Sequence, residues 1–399
     1  MVTGVKSVPA YPDGMELPGV LVHLASGEIT LQRKRVAKAK CPFENLKKTG
    51  NWPPIIVRPE GSPASVTHSA KATRVKKTTA GKAESWRTVL LQNKFPLLTH
   101  GSTPFVHGRI CPAEEVRGPF HARAGVGHHD LIITRDHHKN FAHLSLNQAV
   151  EVLELMQERF RALSKDPCMK YSMALANWGP TAGASIYHPH YQIVTLPVTP
   201  PDISRSLRGS REHYERTERC IHCEMLKFDL GDSGLVVARA RGALAIAPFV
   251  SRRPFEVRVF PEKHRPFFEK TPASEIRGVA QVLQATLRKM ERALGDPDYN
   301  FYLHTAPLKD QKKFAHYHWH IEVIPVLFNF GIPAGFEFGT GEYVNVVAPE
   351  TAAEVLRRGR FTESQGPVLP LAPPSLPSSL KLRRSRKLRS GQARGRKRG

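Results

Sequence analysis

An internal correspondence limits what this 399-residue chain can fold into more than any other feature. Leu131-Ile132-Ile133-Thr134-Arg135-Asp136-His137, followed by a helix-like stretch from Ser145 to Leu163, has a counterpart in Val257-Arg258-Val259-Phe260-Pro261-Glu262-Lys263-His264 and the stretch from Ala273 to Leu294. Tyr171-Ser172-Met173-Ala174-Leu175 matches Asn300-Phe301-Tyr302-Leu303, and HPHYQIVTLP at 188–197 matches HYHWHIEVIP at 316–325, an offset of 128. Both of these last segments end on proline. Each half thus reads as strands, one long helix and further strands, which predicts an α+β protein of two similar units packed as a pseudo-dimer, with helices against antiparallel sheets. The units are expected at 35–205 and 206–358, with 359–399 as linker and tail. Duplication does not require two active sites: His320 stands where the first half has Gln192, and the second half lacks Gly183-Ala184-Ser185.

His188-Pro189-His190-Tyr191-Gln192 leads into Ile193-Val194-Thr195-Leu196, an apolar, β-branched strand signal. Period-two alternation puts residues 188, 190 and 192 on one face and leaves Pro189, Tyr191 and Ile193 on the face read as outward. An imidazole fixed on a strand can attack phosphorus and hold the phosphoramidate, splitting one hard displacement into two easier ones. His190 is the candidate nucleophile. Gln192 can hydrogen-bond a phosphate oxygen but cannot take a proton from water, which favours transfer over hydrolysis. A lone histidine on a strand is more often a satisfied core residue than a catalyst. Here, however, Asn177-Trp178-Gly179-Pro180-Thr181-Ala182-Gly183-Ala184-Ser185 precedes it, a small-residue loop whose amides can approach a phosphate closely.

With these residues in hand, the chain resembles the galactose-1-phosphate uridylyltransferase family of the histidine-triad superfamily. The likeness rests on Asn177 to Gln192, on Trp86-Arg87 through Asn93-Lys94-Phe95-Pro96, on Asp136-His137 after a strand, and on Gly335-Phe336-Glu337. It runs from about Cys41 to about Arg358. The resemblance implies two histidine-triad-like units and ping-pong transfer of UMP between UDP-hexose and hexose 1-phosphate through a uridylyl-histidine. It carries His190 over as nucleophile, Gln192 and Ser185 as phosphate contacts, Asn93 and Asn177 as positions near the nucleotide, and Glu337 as a position that meets the hexose. Gly183 belongs to the same substrate loop. Phe336 stands where the bacterial galactose enzyme has tyrosine, so the sugar stays open. Superfamily members also use adenine nucleotides, which makes an ADP-sugar phosphorylase or adenylyltransferase the alternative.

Metal chemistry forms a second constellation. Cys220-Ile221-His222-Cys223 is a CxxC that needs two more ligands for tetrahedral zinc. His137 and His188 match the family's zinc-ligand positions, and their counterparts across the correspondence nominate His264 and His316, with His318 as rival. A closed Cys220, Cys223, His264, His316 zinc site would resemble that of the plant-type branch of the family. The other set departs from the family pattern, because Cys41-Pro42-Phe43-Glu44 puts glutamate where a second cysteine usually stands. Carboxylate can ligate zinc, so Cys41, Glu44, His137 and His188 could make a set of four; in a degenerate, metal-free site His188 would instead brace the nucleophile strand by hydrogen bonding. Either site would be structural, since four protein ligands leave no open position.

The net charge is +24, of which the ten Lys and Arg from Lys381 onward supply +10 without a single Asp or Glu. Following the Pro/Ser/Leu-rich stretch Gly366 to Leu380, this basic tail is expected to be disordered and to bind polyanions weakly, in a salt-dependent way. Without a recognised nucleic-acid-binding motif, a basic nucleic-acid-binding protein is the reading from another class. The five cysteines are scattered apart from one pair, which gives no disulfide scaffold. No signal peptide or membrane span is visible, so a cytoplasmic enzyme is expected, with a homodimer among the expected assemblies.

Overall fold

The computed structural model describes residues 4–7, 20–21, 37–51, 53–60, 86–98, 111, 114–232, 234–327 and 334–359. The basic tail and its linker lie outside the described residues. The strands are β1 (Gly4–Ser7), β2 (Val20–Leu21), β3 (Ile56–Pro59), β4 (Trp86–Gln92), β5 (Glu114–Arg117), β6 (Phe120–Ala124), β7 (His128–Thr134), β8 (Tyr171–Trp178), β9 (His190–Leu196), β10 (Val236–Ala240), β11 (Ala243–Ile246), β12 (Val257–Pro261), β13 (Tyr299–His304) and β14 (His320–Pro325). The helices are α1 (Leu146–Leu163), α2 (Pro201–Thr217), α3 (Ile221–Asp232), α4 (Ala273–Leu294), α5 (Gly335–Thr340) and α6 (Pro349–Arg358).

Ten strands make one sheet in the order β10-β11-β12-β14-β13-β8-β9-β7-β4-β3, and a small sheet runs β2-β1-β6-β5. Every neighbouring pair in the large sheet is antiparallel. Instead of separate sheets, the two halves share one, joined where Tyr299 faces Trp178 and Tyr302 faces Leu175 across β13 and β8. Burying a run of unpaired N–H and C=O groups is costly, so pairing the two inner strands satisfies backbone that separate sheets would have left as edges.

Two long helices cover one face. Ser145 starts α1 by accepting from Gln148 N, and Gly295 ends α4 in the left-handed region at φ 73°. Their apolar stripes, including Val152, Leu155, Phe160, Val279, Leu283 and Met290, pack on the sheet in one continuous core. Tyr191 and Ile193, read from the sequence as outward, belong to this core at 2 % and 0 % exposure. The alternation is right and its sense is reversed. Helices bury the odd-numbered face of β9, whereas the even-numbered face meets a smaller cluster of Phe43, Leu46, Trp86, Leu131 and Ile133.

The scattered cysteines contain one pairing that spacing along the chain does not reveal. Cys111 and Cys168, separated by 57 residues, are joined as a disulfide with a Cα–Cα distance of 5.1 Å. No described helix is long and apolar enough to cross a membrane.

Candidate active site

Strand β9 places His190 beside a cavity of about 470 Å³ lined by Phe43, Lys48, Asn93, Lys94, Ser185 and Gln192, among others. His190 Nδ1 lies 3.0 Å from the carbonyl oxygen of His188. A carbonyl only accepts, so Nδ1 carries the proton and the lone pair is left on Nε2. Burial lowers the His190 pKa below the ordinary histidine value, which keeps the ring neutral. Phe43 meets its edge with ring centroids 5.4 Å apart. The arrangement is a rotationally fixed imidazole whose one basic nitrogen is left for an electrophile in the cavity. Two residues on, the Gln192 carboxamide lies 2.9 Å through Oε1 from His129 Nε2. His129 carried no signal in the sequence, where a lone histidine on a strand reads as core.

The loop ahead of β9 is held down at its base. Gly179 has φ 84°, and a Cβ there would come within 2.5 Å of the Asp298 carboxylate, so only glycine fits. Asp298 Oδ2 in turn accepts from Thr181 N at 2.7 Å. Asn300 Nδ2 donates to Asn177 Oδ1 at 2.8 Å and to the Ala182 carbonyl at 2.7 Å, which ties the loop to the junction of β8 and β13. The structure therefore brings together Asn93, Ser185, His190 and Gln192 around the cavity. Asn177 and Gly183 (φ 85°) are not among the residues that line it and shape the loop behind it. Glu337 is elsewhere, on the exposed helix α5, where its Oε2 accepts from Ala334 N at 3.0 Å.

Three groups among the described residues could hold a metal ion: Cys41, His137 and His188, with Glu44 beside them; Cys220, Cys223, His264 and His318; and His304, His320 and Glu322. In the first, His137 Nδ1 is 3.1 Å from both His188 Nδ1 and Glu44 Oε1, and Cys41 Sγ is 3.6 Å from His188 Nδ1. Tetrahedral zinc with bonds of about 2.0–2.3 Å would hold its ligand atoms roughly 3.3–3.8 Å apart, close to this spacing. Three further observations fit. Glu44 Oε1 is buried without a hydrogen bond. His188 Nε2 donates to the Thr134 carbonyl at 2.7 Å, which turns the Nδ1 lone pair inward. Burial pushes the His188 pKa down to about 4, so the ring is neutral as a ligand must be. An Asx turn, with Asp136 Oδ1 accepting from His138 N and Lys139 N at 3.1 Å, positions His137 just beyond β7.

The second cluster is Cys220, Cys223, His264 and His318. This corrects the expectation of His316, whose Nε2 lies 3.2 Å from the Leu207 carbonyl on α2 and which is not one of the grouped donors. Cys223 Sγ is 3.4 Å from His264 Nδ1 and 3.5 Å from His318 Nδ1. Both rings donate through Nε2 to backbone carbonyls, His264 to Ala315 at 2.7 Å and His318 to Pro261 at 3.0 Å. Hydrogen bonding from Cys223 pulls the Cys220 thiol well down and leaves Cys223 raised, so one proton departs easily and the second is retained. A thiolate beside a second thiol and two imidazoles is a donor set that could hold a cation.

The error at His316 has a countable cause. His318 Nε2 meets Pro261 O as His188 Nε2 meets Thr134 O, and His320 Nδ1 lies 3.2 Å from His318 O as His190 Nδ1 lies near His188 O. By these matching hydrogen bonds His318 is the likeness of His188 at a separation of 130 residues, whereas pairing His316 with His188 used 128. Aligning on Pro197 and Pro325 hides two residues, since proline follows the strand histidine by seven positions in one half and five in the other.

His320 is closed off. Its Nε2 lies 3.4 Å from Glu322 Oε1, and Glu322 also takes Arg252, Arg258 at 3.3 Å and the Tyr302 hydroxyl at 2.8 Å. Glu322 occupies the place of Gln192, opposite Arg258 as Gln192 is opposite Leu131. A carboxylate held by two guanidiniums thus stands beside His320, where His190 has a carboxamide and a cavity.

A family model described as a domain of unknown function, DUF4921, matches residues 119–359. An ADP-glucose phosphorylase of Arabidopsis thaliana is 28 % identical over 280 residues, covering 70 % of this chain and 76 % of that protein. A galactose-1-phosphate uridylyltransferase of Thermotoga maritima is 28 % identical over 280 residues, covering 69 % and 85 %. Among solved structures, an ADP-glucose phosphorylase of Arabidopsis thaliana with bound ADP-glucose is similar with a TM-score of 0.59 and 27 % identity, over 69 % of this chain and 82 % of that one.

Proposed function

The chain belongs to the DUF4921 family, and from that membership, its uridylyltransferase and phosphorylase relatives and the site described above, we propose that it is a nucleotidyltransferase acting through a covalent nucleotidyl-histidine. His190 Nε2 attacks the α-phosphorus of a nucleoside diphosphate sugar. The bond from that phosphorus to the bridging oxygen breaks, and hexose 1-phosphate leaves. A second hexose 1-phosphate then attacks the phosphoramidate, and the nitrogen recovers its lone pair. The reading is carried by one observation: the His188 carbonyl engages Nδ1 and leaves Nε2 at the mouth of a cavity beside a carboxamide. UMP is the group moved, between UDP-hexose and hexose 1-phosphate.

The ADP-glucose-bound relative supports a second arm, in which AMP is taken from an ADP-sugar and phosphate is the acceptor. Intact-mass spectrometry tests both. Incubation with UDP-glucose or ADP-glucose alone should raise the protein mass by one uridylyl or one adenylyl group, and the base that adds decides between the arms. No added mass with either would overturn the proposal.

Gln192 decides whether the intermediate is transferred or hydrolysed. Gln192→His should raise the share lost to water by roughly tenfold or more, because an imidazole can take a proton from an attacking water. Unchanged partitioning, read as free nucleoside monophosphate against nucleotide sugar, would remove Gln192 from this role.

Zinc is the cofactor this reading includes, one ion at Cys41, Glu44, His137 and His188 and one at Cys220, Cys223, His264 and His318. Both would hold chain segments in place and neither would touch substrate. The halves 35–205 and 206–358 would then be diverged copies of one unit. Phe43 packs on His190 at 5.4 Å and His222 on His320 at 5.3 Å, each from a segment that begins with a metal-ligand cysteine.

A further inference from the structure

We infer that His129, which takes no part in the steps above, is a positioning residue that fixes which end of the Gln192 carboxamide faces the transferring phosphate. The inference rests on the nucleotidyl-transfer reading of His190 and Gln192. His129 sits on β7 at 3 % exposure, two residues before Leu131, which is opposite Gln192 on β9. Leu97 N donates to His129 Nδ1 at 3.0 Å. A ring nitrogen that accepts a backbone N–H carries no proton, so the neutral ring holds its proton on Nε2. That nitrogen is 2.9 Å from Gln192 Oε1, to which it donates, and the Asn93 Nδ2 group stands farther off, 3.3 Å from Nε2 and 3.4 Å from Nδ1.

The consequence for the carboxamide is chemical. With its oxygen engaged by His129, Gln192 has its NH2 group left for the cavity, where it can donate to a non-bridging phosphate oxygen. The flipped carboxamide would set NH2 against Nε2–H and an oxygen lone pair against the phosphate, repulsive on both sides. Placing a fixed donor where negative charge develops is the arrangement that speeds group transfer, and losing one such donor typically costs about 10²–10³-fold in rate. The backbone makes the tautomer stable. Asn93 N donates to the His129 carbonyl at 2.8 Å, and Asn93 Oδ1 accepts from Phe95 N at 3.0 Å, so the turn that presents the Leu97 amide is pinned to the same strand. Asn93 therefore has a task in the site beyond any contact with nucleotide.

The test uses the full-length protein with UDP-glucose and ADP-glucose as probes. His129→Ala should slow adduct formation by roughly 10²-fold with KM changed by less than about threefold. His129→Asn, which keeps a side-chain donor, should recover about tenfold of that loss. In a Gln192→Ala background His129→Ala should have no further effect, because the group it positions is gone. Independent multiplication of the two losses, or wild-type rates in His129→Ala, would overturn the inference. Long-range 1H–15N spectra of the substrate-free protein decide it even if the wild type forms no adduct and the transfer reading falls: a proton on His129 Nε2 upholds the orientation, and a proton on Nδ1 overturns it.

Discussion

His190→Ala and His190→Asn are expected to abolish nucleotidyl transfer, lowering turnover by roughly 10⁴–10⁶-fold, the scale seen when a covalent nucleophile is removed from an assembled site. The mass adduct should vanish with it. His190→Asn retains an amide that can still donate to the His188 carbonyl, so its melting temperature should stay within about 5 °C of wild type. The pairing of these measurements matters, because β9 is central to the sheet and His190→Ala alone could lose activity by unfolding. An adduct that persists in a folded His190→Asn protein would remove His190 as nucleophile. His320, the strand histidine two residues after His318, is buried and held between the His318 carbonyl and Glu322, with Arg252 and Arg258 on the carboxylate, so it does not compete for that role.

Loss of metal from the Cys220 cluster should have the largest effect on stability. Structural zinc contributes an apparent 10–16 kcal/mol or so in sites of this type, about as much as the whole stability of an ordinary domain. The four ligands come from the start of α3, from the turn after β12 and from the approach to β14. Without the ion, the two sulfurs and two imidazoles would be held together by hydrogen bonds alone. Elemental analysis should find zinc, and Cys220→Ser should remove one ion per chain and lower the melting temperature by more than about 10 °C. Glu44→Ala should remove an ion from the first cluster with a smaller shift, because that set has one thiolate where the second has two, and soft thiolates bind zinc more tightly than carboxylate. A chelator should accordingly empty the first cluster before the second. A metal-free wild type of unchanged stability would eliminate both sites, and equal shifts for the two variants would eliminate the ranking.

Much of the site was legible because it is local. Strand alternation alone puts His188, His190 and Gln192 on one face, and Cys220 and Cys223 are neighbours on one turn of chain. Glycine at 179 was legible as a loop residue, but its requirement comes from Asp298, more than a hundred residues away. The same distance hid Asn300, whose amide fastens Asn177 and Ala182. His129 was invisible for a different reason. Its task depends on which atom of a backbone turn meets Nδ1, and no residue type records that.

Residue order by itself determined the recurring order of strands, one long helix and further strands, the faces of β9 up to a choice of sense, the candidate nucleophile with its carboxamide, and the candidate metal ligands apart from His318. These follow from periodicity and from spacing within a few residues, which chain geometry imposes wherever the segment lies. Tertiary structure alone decided that the core lies under Tyr191 and Ile193, that the halves share one sheet, that Cys111 meets Cys168, and that His318 rather than His316 completes the second cluster. Each of these depends on register between strands distant in sequence. A slip of two residues leaves every side chain on its original face, so alternation cannot detect it; only the hydrogen bonds of His188 and His318 to Thr134 and Pro261 set the count.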